Sequence, residues 1–257
     1  MSGAVRAGLA RDGWALVPWS AGTAAWAAEA ARSARRVMDD PAMRTRWLRH
    51  GGTWFAGVDA LPNAPDGSIG GVALDGPWRE VVDWPASWHR AQVSAVLPGY
   101  PRRDPEEGEA AHRFRRDRDG AHLDGLLAEG PERRRHLREP HAFVLGLPLS
   151  EVGEGMAPFV VWEGSHRVIG RAFAAALDGV DPADRGGIDL TEIYQAARRE
   201  VFATCPRVVV TAGPGEAILC HRRAIHGTAP WTGSAAPARV IAWFRPLLPP
   251  GADWLGD

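Results

Sequence analysis

The 257-residue sequence predicts a mainly β protein, a β-sandwich or jelly roll with helices at its N-terminal end. Three observations predict it. Short apolar runs separated by turn residues begin at Gln92, no regular alternation of strand and helix occurs among them, and the first third is Ala-rich with helix start and stop signals. The length suits one sizeable core and is short for two enzyme domains, so a single domain over 1–257 is expected, with 1–90 as mainly helical scaffold and pocket loop and 91–257 as the β core.

The helical part centres on Thr23 to Met38, with Thr23 as a candidate cap and Asp39-Asp40-Pro41 as a clean end. Gly51 to Pro77 is rich in Gly and Pro, lacks either regular period, carries Trp54, Phe55 and Asn63, and is suited to line or cover a site. The expected strands are Gln92 to Leu97, Ala142 to Leu149, Pro158 to Trp162, Arg207 to Thr211, Glu216 to Cys220 and Arg239 to Phe244. A helical insert, Thr191 to Ala203, is expected to lie against them. Between Pro101 and Gly120 runs a charged segment that reads as a solvated, mobile loop; the sharper reading is a lid whose arginines, Arg118 among them, meet an anionic substrate.

Composition narrows the function classes. The formal net charge is -1, so no global field draws the protein to nucleic acid or an anionic membrane. The Arg-rich stretches Arg113 to Arg118 and Arg133 to Arg138 are offset by acidic neighbours. Cys205 and Cys220 form neither a disulfide framework nor a thiolate metal motif, and no cleavable leader or membrane-length apolar run is visible, so a cytoplasmic protein is expected. All 30 basic residues are Arg, which reads as coding bias. The 12 Trp residues suit core packing, with Trp54 and Trp162 as candidates for a substrate pocket.

Ala121-His122-Leu123-Asp124-Gly125 carries the first chemical signal, because side chains two apart on an extended strand project to one face. An imidazole and a carboxylate can then share a metal; alone, the pair is weak. The C-terminal block Pro214-Gly215-Glu216 to His226-Gly227-Thr228 strengthens it: turn, apolar strand, then a His beside a Gly. His226 is favoured as third ligand over His221, which reads as structural. Arg239 opens the next strand 13 residues after His226 and would bring back a guanidinium suited to a carboxylate. Two His and one carboxylate on Fe(II) leave three positions open, enough for a bidentate 2-oxo acid and dioxygen. Arg239 would hold the acid's distal carboxylate, with Thr228 as the nearest hydroxyl donor. His166 beside Ser165 lacks a nucleophile elbow and reads as part of a structural turn.

In these blocks the sequence resembles the phytanoyl-CoA dioxygenase-like branch of the iron(II)/2-oxoglutarate oxygenases. The likeness begins at Leu9-Ala10-Arg11-Asp12-Gly13-Trp14-Ala15-Leu16-Val17-Pro18 and takes in His122 and Asp124. It continues through Leu145-Gly146-Leu147-Pro148-Leu149-Ser150 and Phe159-Val160-Val161-Trp162-Glu163-Gly164-Ser165-His166, and closes on the block ending at Thr228, with Arg239 beyond. The resemblance implies a double-stranded β-helix core (jelly roll, cupin-like), Fe(II) on His122, Asp124 and His226, and 2-oxoglutarate on Arg239 and Thr228. It implies hydroxylation of an unactivated carbon of a small organic substrate by O2, with succinate and carbon dioxide formed; desaturation and ring formation are variants. Related halogenases carry a small residue where Asp124 stands. Glu163 and Trp231 replace the family's usual Pro and frequent Asn, so the substrate is not inferred from the family name. Two rivals remain: a cupin-like metal oxygenase or isomerase that does not use 2-oxoglutarate, and a catalytically silent jelly-roll binding protein.

Overall fold

A computed structural model of the chain describes residues 2–153, 155–234 and 237–256. The N-terminal part comprises α1 (Ser2–Asp12), β1 (Trp14–Val17), α2 (Ala21–Asp39), α3 (Pro41–Trp47) and the two-residue strands β2 (Leu48–Arg49) and β3 (Trp54–Phe55). Then come β4 (Gln92–Val96), α4 (Glu109–Asp117), β5 (Leu126–Glu129), β6 (Arg134–Leu137), β7 (Phe143–Pro148), β8 (Phe159–Trp162), α5 (Ser165–Ala176) and α6 (Thr191–Thr204). The chain closes with β9 (Arg207–Val210), β10 (Ala217–His221), β11 (His226–Thr228) and β12 (Arg239–Phe244).

The strands form a seven-stranded antiparallel sheet, β1-β10-β7-β12-β4-β3-β2, and a three-stranded sheet, β11-β8-β9, with β5 and β6 as a separate hairpin. Inner side chains of both sheets meet in one cluster: Val144, Ile218, Cys220 and Ile241 from the large sheet, Phe159, Val161 and Val210 from the small one. The outer face of the large sheet, with Leu145, Leu219, Ala242 and Phe244, is covered by α2 through Trp26, Ala27 and Ala30. The outer face of the small sheet, with Val160 and Trp162, is covered by α5 and α6 through Ile169, Phe173, Tyr194 and Val201. This layering explains the sequence pattern. Strands covered on both faces need apolar residues at every position, so β7 and β8 are buried throughout and read as continuous runs rather than alternations. Each fully buried Leu, Ile or Phe contributes about 1.5–3 kcal/mol. The result is a jelly-roll-like sandwich with helices on both outer faces.

Four expectations are corrected. Ser20, not Thr23, caps α2: its hydroxyl accepts from the Thr23 N–H, while the Thr23 hydroxyl is buried and donates to the Asp75 carbonyl at 3.0 Å. The mainly helical first third contains β1, which pairs with β10 from Trp14↔Cys220 to Val17↔Ala217. The charged segment between 101 and 120 contains α4, anchored by Arg115, which pairs with Glu107 and donates to His50 Nε2 at 3.0 Å. The turn expected at Ser165-His166 begins α5.

Candidate metal centre

The site begins at one antiparallel residue pair. His122 and His226 exchange both backbone hydrogen bonds, at 2.9 and 3.1 Å, which fixes them side by side and sends both imidazoles to the same face. Their ring centroids lie 4.7 Å apart. Leu123 turns to the opposite face and is buried with the helices, so Asp124 returns to the His122 face, as a period of two demands. The Asp124 carboxylate then reaches both rings, with Oδ1 3.4 Å from His122 Nε2 and Oδ2 3.3 Å from His226 Nε2. One ligand atom from each of the three residues lies within 4.8 Å of the others, a group that could hold a metal ion.

Two glycines make this approach possible. Gly125 has φ +80°, and a Cβ there would stand 2.0 Å from the Glu139 carbonyl oxygen. At Gly227 a Cβ would stand 2.3 Å from the Asp119 carbonyl oxygen, and Thr228 N–H donates to that same carbonyl at 2.9 Å. Gly227→Ala is therefore expected to push the two strands apart, lowering stability by roughly 1–3 kcal/mol and weakening Mn(II) retention. Urea denaturation and equilibrium dialysis check both effects.

The hydrogen bonds select the protonation state a metal needs. His122 Nδ1 lies 3.1 Å from the Gly120 carbonyl oxygen and His226 Nδ1 lies 3.0 Å from that of Ala224. A carbonyl can only accept, so each Nδ1 carries the proton and each Nε2 presents its lone pair toward Asp124. Burial works against charge at Asp124, but Arg245, His226 and His122 outweigh it and hold its pKa well below the ordinary carboxylate value. Partial desolvation opposes charge on the half-exposed His122 imidazole, yet the Asp124 carboxylate raises its pKa. Ser165 supports the arrangement: its buried hydroxyl accepts the N–H of Ile225, the residue before His226, at 2.9 Å. His221, the rival ligand, packs against His166 with 5.0 Å between centroids, and burial lowers its pKa to about 2.

Arg239 stands apart from every other guanidinium described. It is 1% exposed, and none of its three nitrogens has a hydrogen-bond partner among the described residues. Desolvation brings its pKa down to about 10 even though Tyr100 favours the charged form. A buried charge without a counter-ion costs several kcal/mol, so the position is built for an anion. Thr228 is two residues beyond His226 on β11 and therefore shares its face.

Of the remaining candidates, Trp54 pairs with Val96, which pairs in turn with Arg239, so the three occupy neighbouring positions on one face of the large sheet. Trp54 stacks on His50 and donates to Ser94 Oγ at 3.1 Å. Trp162 is not brought to the site: Val161 is the partner of His226, and Trp162 points to the other face, against Phe202. Arg118 is exposed at the end of α4 and lies over the Phe202 ring. Neither is carried forward as a substrate residue. Within the 101–120 segment Arg115 is engaged by Glu107 and His50, which leaves it less able to meet a substrate anion.

A cavity of about 1830 Å³ opens on His122 and Asp124. Its walls bring in residues that the sequence had not singled out: Trp84, Trp88, His141 and Arg245. Arg245 NH1 lies 3.3 Å from Asp124 Oδ1, and NH2 donates to Gln92 Oε1. One signal could have found Arg245. Arg239, Ile241, Trp243 and Arg245 follow at intervals of two and share one face of β12 and its extension.

No family model matches the sequence, and a search of curated proteins finds no match. Solved structures do match. The chain is similar to the non-heme alpha-ketoglutarate-dependent carbocyclase SnoK from nogalamycin biosynthesis, with TM-score 0.52, 12% identity, and coverage of 95% of this chain and 84% of that one. It is similar to iron-bound EctD from S. alaskensis, with TM-score 0.51, 17% identity, and coverage of 96% and 77%. AviO1 from Streptomyces viridochromogenes Tue57 aligns with TM-score 0.50 and 17% identity over 98% of both chains. The shared property is the fold, jelly-roll-like and common to non-heme iron enzymes.

Proposed function

We propose that the chain is an iron(II)- and 2-oxoglutarate-dependent dioxygenase, a single-domain double-stranded β-helix of the phytanoyl-CoA dioxygenase-like branch, that hydroxylates an unactivated carbon of an organic substrate. The observation that carries this reading is the pairing of an open-sided His-Asp-His group with a buried guanidinium that has no hydrogen-bond partner among the described residues. Three protein ligands from two imidazoles and one carboxylate fit Fe(II) and leave room for a chelating 2-oxo acid. Arg239, with the Thr228 hydroxyl on the His226 face of β11, fits the distal carboxylate of that acid. A metal oxygenase that does not use 2-oxoglutarate would have no need of an uncompensated cation at Arg239.

Bound here, ferrous iron with 2-oxoglutarate supplies the oxidation in which O2 splits the 2-oxo acid to succinate and carbon dioxide and adds one oxygen atom to the substrate. The chain's residues make that chemistry local. The Gly120 and Ala224 carbonyls hold both imidazoles in the tautomer that binds metal through Nε2. Arg245 keeps Asp124 ionised. Related halogenases carry a small residue at the place of Asp124, so a carboxylate there favours hydroxylation over halogen transfer. Phe159 and Trp243, in contact with each other and with His226 through Phe159, form an apolar wall that excludes water from one side.

The test is anaerobic addition of Fe(II) and 2-oxoglutarate, with the expected result a visible metal-to-ligand charge-transfer band that needs both. Its pH dependence has a fixed sign. Protons compete with the metal for the imidazole lone pairs, so the band is expected to fade as acid is added. Absence of the band at pH 8 sinks the reading.

A further inference from the structure

We infer that the substrate is a bulky, largely apolar organic acid whose oxyanion is held by Arg245 at the cavity mouth. The inference rests on the oxygenase reading for what happens to the substrate, but its evidence is separate. It starts from size. The cavity measures about 1830 Å³, whereas pockets for drug-sized ligands run to about 300–1,000 Å³. A single small metabolite would leave most of it filled with water.

Its rim is apolar. Seven large hydrophobic side chains are exposed on the described surface, and four of them, Val58, Trp84, Leu127 and Leu247, line this one cavity. Scattered exposed apolar residues need no explanation, but their concentration around a concave opening marks a binding surface. Trp84 is backed by Trp78 and Trp88, at 5.8 and 5.0 Å between centroids, so its ring is held in place.

The charge of the walls selects an anion: seven arginines and four carboxylates line the cavity, and a ferrous ion would add further positive charge. Most of those arginines are committed elsewhere. Arg222 and Arg223 donate to carbonyls of Trp254, Leu255 and Gly256, Arg135 to that of Leu126, and Arg6 to that of Glu80. Arg245 differs because, among the described residues, it is the lining arginine that touches Asp124. Asp124 and Gln92 engage two of its five N–H donors, and its side chain remains 21% exposed toward the opening. A substrate oxyanion on the free donors would lie beside the metal ligands.

Arg239 does not compete for this role. It is six residues before Arg245 on the same face, about 20 Å along an extended backbone. The buried guanidinium at one end and the cavity-facing one at the other thus serve two different anions.

The test uses full-length protein loaded with Fe(II) under argon and three probes read by Trp quenching: anthracene-9-carboxylate, anthracene-9-phosphonate and the uncharged anthracene-9-carboxamide. Wild type is expected to bind one or both acids at least tenfold more tightly than the amide, and the stronger acid identifies the oxyanion. Benzoate should bind at least tenfold more weakly than the anthracene carboxylate. Arg245→Gln should bring the acid-to-amide ratio to about one with amide affinity kept, and Arg245→Lys should retain part of the preference. Saturating 2-oxoglutarate should displace neither acid. Equal binding of acids and amide by wild type, an acid preference that survives Arg245→Gln, or displacement by 2-oxoglutarate overturns the inference; if Arg245→Gln does not fold, the wild-type ratios, the lysine variant and the displacement arm still decide. Failure of the oxygenase reading looks different: the charge-transfer band is missing while the acid preference stands.

Discussion

Arg239→Met is expected to act in opposite directions on two measurements, removing the stabilisation conferred by 2-oxoglutarate while making the ligand-free protein more stable. The first effect follows from the loss of a charge-assisted contact to the distal carboxylate, about 3 kcal/mol or a hundredfold in 2-oxoglutarate affinity. The second follows from Arg239's surroundings. Its guanidinium is buried with no partner among the described residues, so an apolar side chain of similar length relieves a desolvation penalty and is expected to add roughly 1–4 kcal/mol. Thermal melts with and without Fe(II) and 2-oxoglutarate separate the two. A variant that melts lower in the absence of ligand shows that Arg239 has a protein counter-ion; one that keeps the wild-type 2-oxoglutarate midpoint removes Arg239 from the cofactor site.

Asp124→Ala is expected to abolish metal retention and turnover together. The carboxylate lies 3.4 and 3.3 Å from the two imidazole Nε2 atoms, and among the described residues no other carboxylate joins that group. Loss of one of three ligands, the only anionic one, should weaken Fe(II) or Mn(II) binding by at least about a hundredfold. The same change leaves Arg245 without its anion. Because Arg245 keeps some solvent contact, the cost to stability is expected to be roughly 1–3 kcal/mol, below that of breaking a fully buried pair. The pKa of Asp124 is depressed in the folded protein, so its contribution is present at neutral pH and lost as pH falls below the ordinary carboxylate range. The variant should therefore show a smaller loss of stability on acidification than wild type. An Asp124→Ala protein that still binds Mn(II) at wild-type affinity would refute the metal centre.

The parts of the fold legible in sequence were those whose physics is local. Five of the six expected strands could be read because burial on both faces forces continuous apolar runs, and β7, β8 and β10 lie where those runs fall, whereas β9 is largely exposed and shows instead by its run of three Val. Strand β1 was hidden because its pairing partner, β10, lies some 200 residues away, and four residues between two helices carry little signal of their own. Helix α4 was hidden by its charge, since Arg115 owes its place to Glu107 and His50 rather than to an apolar stripe. The same division runs through the site. His122 and Asp124 were legible from spacing, and Arg239 from its position at the head of a strand. Arg245 was not, because its significance depends on which face of β12 looks inward and on a cavity assembled from distant segments.

The contact between His122 and His226 is a single residue pair rather than a ladder, flanked by no further named strand on the His122 side. It joins segments more than 100 residues apart in the chain, so it is a narrow seam, with the Thr228 N–H to Asp119 carbonyl bond beside it. An ion seated across it would act as a clasp, binding the closed form and not the opened one, and at 100 times its dissociation constant would favour closure by about 2.7 kcal/mol. Amide exchange around residues 120–124 and 225–228 should then slow on loading the metal more than exchange in β7, which already has strands on both sides.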